Sequence, residues 1–67
     1  MNSFSQIVEA WGDKKMASDL GVPGERVRNW RRLDSIPDSY WKSILSKAPD
    51  RNINISADLL INLAARD

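Results

Sequence analysis

The chain contains neither cysteine nor histidine. Without thiols there is no disulfide staple and no thiolate nucleophile, and without imidazole the commonest general base is missing. Without both, zinc and the other transition metals lose their usual ligands. Long apolar runs are also absent. The longest uncharged stretches, Met1 to Val8 and Leu59 to Ala65, are too short to span a bilayer, and the second includes Asn62. The opening Met1-Asn2-Ser3 lacks the basic and apolar pattern of a signal sequence. The expectation is a cytoplasmic protein with no membrane partner. Carboxylates are scattered singly, no nucleophile–base pair is at hand and no glycine-rich phosphate loop exists. An enzyme is therefore not expected, nor is a cofactor, a metal or a small-molecule ligand. At 67 residues the chain reads as one domain over 1–67. A domain of this size buries only about 60% of the surface its unfolded form exposes.

What is present is unevenly distributed. The net charge is only +1, yet residues 14–32 hold six basic groups (Lys14, Lys15, Arg26, Arg28, Arg31, Arg32) against Asp19 and Glu25, a local +4. The remainder carries four basic and seven acidic residues, a local −3. Positive charge concentrated in a third of the length makes one anion-facing surface, or else a solvated helix face. The surrounding residues decide between them.

Apolar spacing and punctuation predict an all-α fold, a compact bundle of about five short helices. Ser3 with Gln6 forms a capping box, followed by Phe4, Ile7, Val8 and Trp11 at helical spacing. Gly12 stops this helix and Asp13 is the expected N-cap of the next, which turns Met16, Ala17 and Leu20 inward and ends at Gly21. Pro23 suits the first position of a third helix running to about Arg32. Ile36-Pro37 opens a fourth, with Tyr40, Trp41, Ile44 and Leu45 apolar, and Pro49 closes it. Ser56 caps a fifth, with Leu59, Leu60 and Leu63 as its inner residues. Residues 52–55 alternate too briefly to predict a strand. Trp11, Trp30 and Trp41 are expected in the core.

The informative segment is residues 13–32. Two helices joined by a tight turn need a small residue where they cross, a glycine able to adopt left-handed geometry four residues later, and apolar residues to hold the second helix down. Ala17, Gly21, and Val22 with Val27 and Trp30 meet all three requirements. This is the pattern of a central helix-turn-helix. Ala17-Ser18-Asp19-Leu20-Gly21-Val22 resembles the corresponding stretch of the Cro and lambda-repressor class of phage regulators. The continuation through Trp30-Arg31-Arg32, Ile36-Pro37 and Tyr40-Trp41 is similar to very small Cro-like proteins of alphaproteobacteria and their prophages, the carph-isopro type. The resemblance covers roughly residues 6–64. Two positions depart from it. Gly24 stands where a side chain touching DNA is common in the family, and Glu25 is unusual on a phosphate-facing surface.

Helix geometry ranks the basic residues. At about 100° per residue, Val27 and Trp30 set the buried face of the third helix. Glu25, Arg28, Asn29 and Arg32 lie opposite and are the expected base readers in a major groove, with arginine bidentate to guanine and asparagine to adenine. Glu25 either accepts from cytosine or pairs within the helix with Arg28 near the positive helix end. Arg26 and Arg31, on the flanks, suit phosphates or packing against the body of the domain. Lys14 and Lys15 open the helix that crosses the phosphate backbone in this motif, and each is a phosphate contact or a solvated lysine. The resemblance also places Tyr40 and Lys42 near the backbone, although Tyr40 beside Trp41 is first a packing residue.

The expected partner is double-stranded DNA. The last helix is apolar over about 200°, which suits either a homodimer through that helix or a helix wedged between two others. The resemblance implies a regulator of prophage or gene-transfer-element type, most simply a repressor that occupies an operator and lies on the nucleoid. An activator using Asp34 and Asp38 as an acidic patch stays open. The alternative is a protein-interaction module, an antitoxin or phage adaptor on the same scaffold. An arginine-rich exposed face with Asn29 favours DNA. Whatever the partner, Trp30→Ala is expected to remove about 3–5 kcal/mol of stability, enough to unfold a domain this small, as measured by urea denaturation.

Overall fold

Helices of eight to ten residues do not persist alone in water. Each one here depends on the apolar stripe it buries and on how its ends are satisfied. A computed structural model describes residues 2–65; Met1, Arg66 and Asp67 of the expected 1–67 domain lie outside the described residues. Five α-helices follow one another: α1 (Phe4–Trp11), α2 (Asp13–Leu20), α3 (Gly24–Leu33), α4 (Trp41–Lys47) and α5 (Ala57–Ala64). Single 3₁₀ turns, Asp38–Tyr40 and Ala48–Arg51, flank α4. The all-α expectation holds, with no strand among the described residues, 52–55 included. No described helix is long and apolar enough to cross a membrane. The radius of gyration, 10.6 Å, is close to the roughly 11 Å of a well-packed chain of this length.

α3 packs chiefly against α1 and α2, while α4 bridges α2 and α5. One core results. Phe4, Ile7, Val8 and Trp11 of α1, Met16 and Ala17 of α2, Val27 and Trp30 of α3, and Ile44 of α4 are buried together with Ile36, Ala48, Ile53 and Leu60. The core contains no buried polar side chain among the described residues. Trp11 and Trp30 are buried as expected, whereas Trp41 is only half-buried. Its ring stacks on Phe4 with centroids 6.3 Å apart, and its indole N–H donates to the Ile36 carbonyl at 3.0 Å, which ties the Ile36-Pro37 step to α4. On α5 only Leu60 is sealed, with Leu63 partly buried against the core. Leu59 is half-buried outside that cluster, and Ile61 stands 54% exposed.

The ends depart from expectation in instructive ways. Gly12, not Asp13, is the N-cap of α2: at φ 93° its N–H closes α1 onto Val8 at 2.8 Å while its carbonyl accepts from Met16 at 2.9 Å. One residue thus ends one helix and begins the next, and Asp13 falls inside the first turn, where its charge faces the positive helix end. Pro23 likewise sits one position earlier than expected. Its extended ψ of 142° makes it the N-cap of α3, and Gly24 is the first helical residue. The capping box is half formed. Ser3 Oγ accepts from the Gln6 amide at 3.1 Å, but the Gln6 side chain takes the amide of Asn2. Ser56 caps α5 by accepting from Leu59 at 3.1 Å.

A polar staple joins the two halves of the chain. Arg51, at the end of the second 3₁₀ turn, donates through Nε and Nη2 to the two carboxylate oxygens of Asp19 on α2, at 2.8 and 2.9 Å. The buried Trp11 indole donates to the same carboxylate at 2.9 Å. The Arg51 hydrogen bonds, then that of Trp11, pull the Asp19 carboxyl from its ordinary 3.8 to about 2. The same contact raises the Arg51 guanidinium. A depressed carboxyl stabilises the fold above its unfolded pKa of about 4 and stops doing so as pH falls towards 2. Asp19→Asn is therefore expected to melt below wild type at neutral pH. The gap should close between about pH 4 and pH 2, read as thermal midpoints by circular dichroism.

Candidate nucleic-acid interface

The connection between α2 and α3 is built by a left-handed residue. Gly21 takes φ 67°, ψ 37°, so that its N–H reaches Ser18 at 3.4 Å and the Val22 N–H reaches Ala17 at 3.0 Å. These two bonds satisfy the last carbonyls of α2 and reverse the chain within residues 21–23. The same pair of bonds ends α3 at Asp34 (φ 53°), whose N–H meets Arg31 at 3.3 Å while Ser35 meets Trp30 at 3.1 Å.

α3 is then locked at its far end by α1. Ser5 Oγ donates to the Arg31 carbonyl at 2.6 Å, and the Ser5 amide donates to Asp34 Oδ1 at 2.9 Å. The Arg31 carbonyl, which also accepts from the Asp34 amide, gains a second donor, and an amide at the start of α1 finds its acceptor. This employs Asp34 structurally, so only Asp38 of the imagined acidic patch is left without such a task.

With both ends fixed, Val27 and Trp30 face the core and Glu25, Arg28, Asn29 and Arg32 are all exposed, as helix geometry requires. Arg32 Nη2 donates to Asn29 Oδ1 at 3.2 Å, which holds the two side chains side by side. The carbonyl oxygen keeps a second lone pair and the amide nitrogen keeps its donors. Arg28 lies back along the helix, its Nη1 3.6 Å from where a side chain at Gly24 would begin. Glu25 makes no ion pair with Arg28 among the described residues. The first turn of α3 has no side-chain cap and carries Glu25, whose carboxylate lies at the positive helix end.

The flanking residues are held by other elements. Arg31 pairs with Asp13 at 3.3 Å, and Arg26 Nη1 donates to the Tyr40 hydroxyl at 2.8 Å. Tyr40 is half-buried with its ring tilted against Trp30, centroids 4.8 Å apart, so it both packs and presents its hydroxyl at the rim. Arg26, Tyr40 and Ser35 border an open groove of about 390 Å³ that also reaches Asn29 and Leu33. Lys14 and Lys15 are exposed on the first turn of α2, and Lys42 is exposed on α4.

Asp13 carries no expected role at this face, yet it orients Arg31, while Gly24 lies beside the Arg28 guanidinium at ordinary contact distance. Gly24 lies one helical turn before Arg28, which is a local signal. Asp13 and Arg31 are too far apart in sequence to leave one.

The two glycines bracketing the turn differ in kind. Neither has a neighbour that would block a methyl group, but only Gly21 has a positive φ. Gly21→Ala is expected to destabilise by about 1 kcal/mol, whereas Gly24→Ala is expected to be neutral or to stabilise by up to about 0.5 kcal/mol, both in urea melts. No family model, no curated protein and no solved structure matches the chain, so the meaning of this face rests on its own residues.

Proposed function

We propose that the protein is a sequence-specific, double-stranded-DNA-binding regulator of the Cro-like helix-turn-helix type, acting most simply as a repressor by occupying its operator. The observation that carries this reading is the exposed side of α3, where Arg28, Asn29 and Arg32 stand together opposite the buried Val27 and Trp30. Guanidinium and carboxamide groups on a helix held rigidly at both ends match the donor and acceptor pattern of base edges in a major groove. Glu25, exposed and unpaired with Arg28, is free to accept from cytosine.

Lys14 and Lys15 on one side and Arg26, Tyr40 and Lys42 on the other supply phosphate contacts flanking that helix. Arg31 contributes less in this scheme because Asp13 already neutralises it. Half-site recognition is completed by a homodimer through α5, supported by the exposed Ile61 and the half-buried Leu59 on that helix.

The test is selection from sheared genomic DNA at physiological salt, with the bound fragments sequenced. A shared inverted repeat with half-sites about 10 base pairs apart supports the dimeric regulator. One asymmetric site keeps the regulator and removes the symmetric dimer. No enrichment from folded protein turns the assignment towards a protein-interaction module. On the selected site, Arg28→Ala or Arg32→Ala is expected to weaken binding by about 1–3 kcal/mol and relax preference at one base pair per half-site. Lys15→Ala is expected to weaken all sequences alike and flatten the salt slope by about one unit. An Arg28→Ala protein with unchanged affinity and preference sinks the assignment of this helix face.

A further inference from the structure

Leu33 is 65% exposed, more than any other large apolar side chain among the described residues. The sequence spacing ends the third helix near Arg32, but α3 runs one residue further, so the direction of Leu33 is set by the helix. Asn29 lies four residues earlier, about 40° round the helix and about 6 Å along it. The two form one ridge, and both line the groove whose rim carries Arg26 and Tyr40.

Single exposed leucines are ordinary on protein surfaces. This one differs in its company. It is the one apolar side chain exposed on a helix whose other exposed residues are Glu25, Arg26, Arg28, Asn29, Arg31 and Arg32. Among the four bases only thymine presents a methyl group in the major groove, and an apolar side chain is its complement.

We propose that Leu33 is a specificity-determining residue, packing on the 5-methyl group of a thymine near the adenine taken by Asn29. The proposal rests on the DNA-binding reading above. It adds an apolar contact at the Arg26 edge of a face otherwise made of charges and amides.

The experiment takes the tightest duplex recovered by selection and replaces its thymines by uracil one at a time. Binding is followed by fluorescence anisotropy for wild type, Leu33→Ala and Leu33→Met. Wild type is expected to lose about fourfold in affinity at one thymine per half-site, the value of one buried methyl group. Leu33→Ala should bind the thymine and uracil duplexes alike, about fourfold below wild type on thymine. Leu33→Met, which keeps an apolar side chain of similar volume, should restore the discrimination. Wild-type indifference to every uracil, or discrimination retained by Leu33→Ala, overturns the assignment of Leu33 alone. Absence of preference for any duplex over competitor DNA overturns the DNA-binding reading, and this proposal with it.

Discussion

Ten residues of helix bearing five charges would not stay folded in water, and α3 stays folded because Val27 and Trp30 are sealed against the neighbouring elements. That burial does more than stabilise. It fixes the rotation of the helix about its own axis, so which residues face outward is decided by which face inward. Trp30 also supplies the surface on which Tyr40 tilts, and Tyr40 in turn holds Arg26. A packing decision in the core therefore propagates through a ring contact and a hydrogen bond to a guanidinium at the surface.

The axial position of α3 is set by backbone groups instead. The left-handed residues Gly21 and Asp34 bracket it, and the two bonds that Ser5 donates to Arg31 and Asp34 fasten its far end to α1. A helix fixed in rotation by side chains and in translation by its caps presents Arg28, Asn29 and Arg32 from a defined backbone, which is what the proposed reading of base edges requires. The neighbouring cations are softened by partners of their own, since Asp13 answers Arg31.

Much of this could be read from local pattern. Apolar residues at helical spacing located all five helices, and Gly21 announced the turn because few other residues accept a positive φ. The opposition of Val27 and Trp30 to Arg28, Asn29 and Arg32 follows from helix geometry alone. Single-residue placements failed where two ends compete for one residue. Asp13 has the chemistry of an N-cap, but the preceding Gly12 had already turned the chain, and Pro23 was displaced outward by its extended ψ. Non-local contacts left no trace at all. Asp19 and Arg51 lie thirty-two positions apart, and nothing in the composition of either segment says they meet. The exposure of Leu33 depended on one extra residue of helix, which no spacing rule resolves.

The staple between Asp19 and Arg51 ties the second 3₁₀ turn to α2. Within the single core α1, α2 and α3 share Phe4, Ile7, Val8, Trp11, Met16, Val27 and Trp30, whereas α5 commits only Leu60 fully to the interior. Unequal burial of this kind means unequal persistence. Fluctuations that open part of a small protein begin where fewest apolar contacts must be given up. The last helix is thus where partial opening is expected to begin, with the more deeply anchored arginine-bearing helix keeping its register.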